Sequence, residues 1–171
     1  MPPTAVLIGA PGAGKTSVGR RVAERLGVPF ADSDHLVEER AGAKVSDIFV
    51  DLGEAHFRLL EQEAIADAVG HFDGVLSLGG GAVMTPGTPE LLEGLPIVWL
   101  EVDLGDAVHR VGMNASRPLL LGNVRGTLSN LLRERAPVYE ALATVRIQTS
   151  GKSLRAVVDD VCRALSDRDA A

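Results

Sequence analysis

Cysteine is almost absent from this sequence. Cys162 is alone, which excludes an intramolecular disulfide and any zinc site built from thiolates. Set in the helical pattern around Val161 and Ala164, it reads as a small buried residue and not as a nucleophile. Aromatics are also scarce, with four Phe, one Tyr and one Trp, too few for a base-stacking surface. Trp99, between Val98 and Leu100, reads as core. No block of Lys and Arg interrupts a chain whose formal charge is −6, so no nucleic-acid partner is expected. No apolar run approaches the roughly 20 residues that span a bilayer, so no membrane partner is expected either. The N-terminus lacks a basic region followed by an apolar one, so a cytoplasmic location is expected over secretion. His35, His56, His71 and His109 have no metal-ligand spacing and read as surface or packing residues.

What remains is an ordinary globular composition, 46% hydrophobic and 23% charged over 171 residues. That suits one domain with a substantial core. The most telling segment is Gly9-Ala10-Pro11-Gly12-Ala13-Gly14-Lys15-Thr16, which fits the phosphate-loop pattern in full. It follows the apolar run Ala5–Ile8 and precedes a helical stretch from Lys15 to Leu26. Glycines let backbone N–H groups turn inward around phosphates, the lysine reaches the terminal phosphates, and the Thr16 hydroxyl suits Mg²⁺. The helix N-terminus beneath adds partial positive charge. The loop implies a nucleoside triphosphate ligand.

Five short apolar runs predict strands at Ala5–Ile8, Pro29–Ala31, Val75–Leu78, Ile97–Leu100 and Val145–Gln148. Helical spacing predicts helices over Lys15–Leu26, Glu54–Val69, Asp106–Gly112, Arg125–Glu134 and Leu154–Leu165, with Ser46 as a helix cap. Strands alternating with helices imply right-handed crossovers and a mainly parallel sheet covered on both faces. Ligands of such sheets bind at the carboxyl ends of the strands. Met113–Val124 lacks periodicity and reads as a long functional loop.

Residues just after the strands therefore carry weight. Asp32-Ser33-Asp34 follows the second run; one carboxylate there could hold Mg²⁺ through water and the other accept a proton from an attacking hydroxyl. The competing reading is that both acids merely cap a helix beginning near His35. Gly79-Gly80-Gly81 follows the third run and would allow close approach of a ligand. Arg58, Arg117 and Arg135 are candidates for pairing with an anionic substrate or a transferring phosphoryl group, against a solvated-surface reading for each. Arg20, Arg21, Arg25 and Arg163 read as surface residues.

Taken in order, these pieces resemble the shikimate kinase family, small P-loop kinases that move the ATP γ-phosphate to the 3-hydroxyl of shikimate on the route to chorismate and the aromatic amino acids. The resemblance runs from Val6 to about Leu165 and rests on the phosphate loop, Asp32-Ser33-Asp34, Asp47-Ile48-Phe49, Glu54 with Phe57-Arg58 and Glu61, Leu78-Gly79-Gly80-Gly81, Arg117-Pro118-Leu119-Leu120, and Arg135-Ala136-Pro137-Val138-Tyr139. It implies an α/β P-loop kinase fold over residues 1–171, a central five-stranded parallel sheet flanked by helices, a substrate segment at about 33–61 and a lid at about 113–124. By the resemblance, Asp34 binds shikimate hydroxyls and acts as base, and Arg58 and Arg135 clamp its carboxylate. Gly79, Gly80, Gly81, Phe49, Phe57, Glu61, Pro118 and Leu119 complete that pocket. Gly12, Ala13, Gly14, Lys15, Thr16 and Ser17 hold ATP with Arg110, which lies against the adenine, and Arg117. Lys15 and Arg117 neutralise the phosphate in transit. Mg²⁺ is ligated by Thr16, with Asp32 and Ser77 acting through water. A monomer is expected.

The sequence departs from the family at three places. Leu154 stands where a proline usually contacts adenine, Ser33 where Thr usually separates the aspartates, and Met113-Asn114 where glycines are common. Two other readings stay open at this point. One is a gluconate or nucleoside monophosphate kinase of the same fold. The other is a nucleotide-dependent switch, although Asn-Lys-x-Asp is absent and Asp67-Ala68-Val69-Gly70 ends a helical run instead of a strand.

Overall fold

The computed structural model describes residues 1–112 and 123–171. Five parallel strands, β1 (Ala5–Ile8), β2 (Phe30–Asp32), β3 (Val75–Ser77), β4 (Ile97–Glu101) and β5 (Val145–Gln148), form one sheet in the order β2-β3-β1-β4-β5. Helices α1 (Lys15–Leu26), α2 (Ser33–Ala41), α3 (Val45–His71), α4 (Thr88–Leu91), α5 (Leu104–Gly112), α6 (Val124–Leu142) and α7 (Leu154–Asp169) supply the crossovers and the flanking layers.

Central strands covered on both faces must be apolar at every position, and β1 is buried throughout. Its alternate residues enter different layers. Ala5 and Leu7 pack with Val18 and Val22 of α1 and with Val157 and Val161 of α7. Val6 and Ile8 pack with Ile65 of α3, Trp99 and Tyr139. Each such side chain contributes about 1.5–3 kcal/mol by leaving water. A third cluster, Val37, Ile48, Phe57 and Ala64, joins α2 to α3 outside the sheet. Trp99 belongs to the core as expected, its ring under the Arg146 guanidinium at 4.5 Å. Cys162 is half-buried against the first layer, and burial pushes its thiol up.

Several helix boundaries differ from the periodicity, with α3, α5, α6 and α7 all longer than expected. Ser46 is not a cap: α3 starts one residue earlier, and the Glu38 carboxylate from α2 accepts the Val45 N–H at 3.0 Å. The same helix then runs across a kink at Gly53, whose φ of 83° and ψ of 166° are open essentially to glycine alone. α6 does not end at Glu134 but continues past Pro137 to Leu142. A proline removes one helical hydrogen bond. Packing of Tyr139 against Trp99, ring centroids 5.8 Å apart, holds the continuation. Arg135 therefore sits mid-helix, pointing with Tyr139 from one face.

Candidate active site

A cleft of about 340 Å³ opens at the carboxyl edge of the sheet. Its first wall is the loop between β1 and α1. Gly9, at φ 152°, lets the chain pass so close to β4 that a methyl there would lie 2.5 Å from the Leu100 carbonyl oxygen. Gly14, at φ 89°, turns the chain into α1 without a capping side chain. First-turn amides of such a helix are left for an anion. Lys15 Nζ donates to the carbonyls of Gly9 at 2.7 Å and Ala10 at 3.1 Å, so the ammonium lies across the mouth of the loop. Gly12, Gly14, Lys15, Thr16 and Ser17 line the cleft, whereas Ala13 is buried beneath it. Arg110, reaching over from α5, donates to the Gly12 carbonyl at 3.0 Å and to Thr149 Oγ1 at 3.4 Å.

The second wall is the β2–α2 junction. Asp32 does two things at once. Its Oδ1 accepts the Asp34 N–H at 2.9 Å and caps α2, and its Oδ2 accepts the Thr16 hydroxyl at 3.2 Å. The capping reading of this acid is thus correct, and it leaves the other oxygen facing the phosphate loop. Helix α2 begins at Ser33, two residues before the expected start. Ser77 pairs with Asp32 across the sheet, so both side chains stand on one face, and its hydroxyl is buried with no hydrogen-bond partner among the described residues. Thr16, Asp32 and Ser77 together offer hard oxygen donors at one edge, which is the donor chemistry Mg²⁺ takes. No cluster of three or more His, Cys, Asp or Glu suited to a metal occurs among the described residues.

Leu78, Gly79 and Gly80 floor the cleft, and Gly81 follows beside it. Ser33 Oγ accepts the Gly79 N–H at 2.9 Å, and the Tyr139 hydroxyl donates to the Gly80 carbonyl. Two arginines converge over this floor from different helices. A methyl on Gly81 would meet Arg58 Nη2 at 2.5 Å and Arg135 Nη2 at 3.0 Å. A methyl on Gly80 would meet Arg135 Nη1 at 3.1 Å. Glycine is needed here to make room for guanidinium groups. Arg58 is held from its own helix, bonded to Glu61 at 2.8 Å and 3.6 Å from Glu54. Phe57 lies beneath it, ring centroid 5.2 Å from the guanidinium, and Phe49 covers Phe57 at 4.7 Å.

Glu61 is 1% exposed, and burial pushes its carboxyl up to about 7 against the opposing pull of Arg58. Asp34 adds to the rise and Arg135 subtracts from it. Asp34 lines the cleft between the phosphate loop and the floor. Arg117, Pro118, Leu119 and most of the expected lid lie outside the described residues.

Ser33, Tyr139 and Thr149 were not singled out for the parts they play in holding the site. Tyr139 carried a readable signal, four residues after Arg135 and so on the same helix face. Ser33 and Thr149 carried none, because their partners are 46 and 39 residues away.

A glycine-rich loop running from a central strand into a helix N-terminus, facing paired acids across a parallel sheet, defines a P-loop kinase. A family model described as shikimate kinase matches residues 11–166. The chain is 55% identical to a shikimate kinase of Thermobifida fusca over 86% of each sequence. It is 49% identical to one from Salinispora arenicola, covering 97% of this chain and 99% of that one. Its fold is similar to a shikimate kinase from Acinetobacter baumannii in complex with shikimate, with a TM-score of 0.92 at 33% identity, covering 98% of this chain and 94% of that one. The chain belongs to the shikimate kinase family, whose members are ATP-dependent kinases acting on an alcohol.

Proposed function

We propose that this chain transfers the γ-phosphate of ATP to the 3-hydroxyl of shikimate, giving shikimate 3-phosphate and ADP, as a monomer in the cytoplasm. The observation that carries the reading is the convergence of Arg58 and Arg135 over Gly80 and Gly81, beside a cleft lined by Asp34 and the phosphate loop. A guanidinium fork matches a carboxylate bidentately, and two forks from different helices can grip one carboxylate from two sides.

In this reading the backbone of Gly12–Ser17 cradles the phosphates and Arg110 closes the nucleotide side. Lys15 neutralises charge on the transferring group, a role Arg117 shares by family resemblance. Arg58 and Arg135 fix the acceptor by its carboxylate on the floor of Gly79–Gly81, with Phe49, Phe57, Pro118 and Leu119 along its ring. The hydroxyl is thereby aimed at the phosphate, and positioning of this kind accounts for much of phosphoryl-transfer catalysis. Asp34 accepts the hydroxyl proton. Mg²⁺ held by Thr16, with Asp32 and Ser77 behind it through water, would neutralise phosphate charge. The segment 33–61 then acts as the acceptor-binding part of the molecule and 113–124 as its lid.

The test is an ATP-consumption assay with shikimate, gluconate and nucleoside monophosphates offered in parallel, and a Lys15→Ala control. Shikimate should be the preferred acceptor, and the control should lose turnover by about 10²-fold or more. Preference for gluconate or a monophosphate would overturn the assignment of the acceptor.

A further inference from the structure

Three acidic side chains stand around the two arginines, and they differ in contact with water. Glu54 is exposed, Asp34 is partly buried and Glu61 is sealed. Only one Glu61 oxygen is satisfied. Oε1 accepts from Arg58, whereas Oε2 is buried with no hydrogen-bond partner among the described residues. That bare oxygen faces the α-carbon of Gly79, where a methyl would meet Glu61 Oε2 and Asp34 Oδ1 at 3.0 Å each. A buried anionic oxygen without a donor is costly, and a proton placed on it removes the charge.

The charges near Glu61 come from every element packed around it. Arg58 is on its own helix, Arg135 on α6 and Asp34 on α2, while the Tyr139 phenol of α6 is kept neutral by burial. Glu54 is exposed and its charge is screened by water, so inside the site ionised Asp34 and Glu61 balance the two guanidinium charges. A carboxylate seated between the arginines adds a third negative charge to this set. Glu61 is the group whose ionised form is already disfavoured, by burial first and by Asp34 in addition.

We propose that Glu61 takes up a proton from solvent when a carboxylate-bearing acceptor binds, releasing the Arg58 charge from Glu61 to the acceptor. The proposal rests on Arg58 and Arg135 being the carboxylate clamp of the preceding subsection. Glu61 is then the element that lets a buried arginine keep a counter-charge in the free protein without competing with the acceptor for it. Because the bound form holds more protons, affinity must fall as pH rises above the Glu61 value of about 7.

Calorimetric titration of the full chain with shikimate, in phosphate and in Tris buffer, tests this directly, because the difference in heat reports protons exchanged. Wild type should take up a fraction of a proton near neutral pH. Its affinity should weaken several-fold between about pH 7 and 8.5, below the limit of about tenfold per pH unit for one coupled proton. Glu61→Gln, which still accepts from Arg58, should bind shikimate with neither uptake nor slope in that range. Independent of any variant, the ¹³C shift of the Glu61 carboxyl should titrate about one pH unit or more higher with shikimate bound. Uptake that persists in Glu61→Gln, or a Glu61 titration unmoved by shikimate, overturns the proposal while leaving the clamp intact. Failure of wild type to bind shikimate at all would instead overturn the clamp.

Discussion

The phosphate-loop end of the cleft centres on one continuous stretch, Gly9–Ser17, which offers backbone amides, the Lys15 ammonium and the Thr16 hydroxyl, with Arg110 reaching over from α5. The proposed acceptor end draws Asp34 from α2 and Gly79–Gly80 from the end of β3, with Gly81, Arg58 and Glu61 of α3 and Arg135 of α6 beside the cleft. The first is set by local dihedrals and by the close pass of Gly9 against β4. The second exists only when four elements are packed: Glu61 holds Arg58 from the next turn, and Ser33 and Tyr139 hold the Gly79 amide and the Gly80 carbonyl from far along the chain. A site made of backbone is common to every ligand carrying phosphate. A site made of converging side chains selects one acceptor, so specificity and its failures should map to the second end.

The sharpest break between the ends falls on Asp34, which lines the cleft between them. Asp34→Asn keeps the shape and removes the proposed proton acceptor. Turnover should drop by about 10²–10⁴-fold, with the apparent affinity for ATP close to that of wild type, in steady-state kinetics. Near-normal turnover would remove Asp34 from the chemistry. Next in size is Arg135→Ala, which removes a buried residue whose guanidinium lies over Gly80 and Gly81. A charged hydrogen bond is worth about 1.5–3 kcal/mol, so the KM for shikimate should rise by about 10- to 150-fold. The KM for ATP should stay within about twofold, since the phosphate loop has its own contacts. Equal losses for both substrates would mean the two ends are not separable.

The same contrast decides how much was legible before the fold was known. Eight adjacent residues announce the phosphate loop because its physics is local, and the five strands lie within one residue of the apolar runs. The sheet order was not readable, since strand neighbours follow from crossovers. Nor was Ser46 recognisable as uncapping, because the group that replaces it, Glu38, comes from the preceding helix. Arg58 and Arg135 could be nominated as anion partners from residue type, but 77 residues of chain separate them, and only packing brings both to Gly81. Glu61 is placed in the pocket by the family resemblance and lies at helical spacing from Phe57, Ala64 and Ile65, but its full burial is not readable, since an acid three residues after an arginine on a helix also reads as a solvated ion pair.

The smallest expected effect discriminates most finely, and it concerns a single methyl group. Gly81 has a φ of −97°, a backbone any residue adopts, so its alanine variant carries no dihedral strain. The added carbon would meet the far ends of Arg58 and Arg135, which are flexible and can give way. Gly9 is the opposite case, since its neighbour is the Leu100 backbone and its own φ is 152°. Gly81→Ala should therefore fold with a Tm near that of wild type, while the displaced guanidinium groups raise the KM for shikimate several-fold and leave kcat almost unchanged. Off-geometry positioning is costly because a bidentate match depends on both forks at once. A normal KM with a lowered Tm would show that the floor supports the fold and that the arginines tolerate displacement. Acceptor binding would then owe less to the convergence over Gly81 than the geometry suggests.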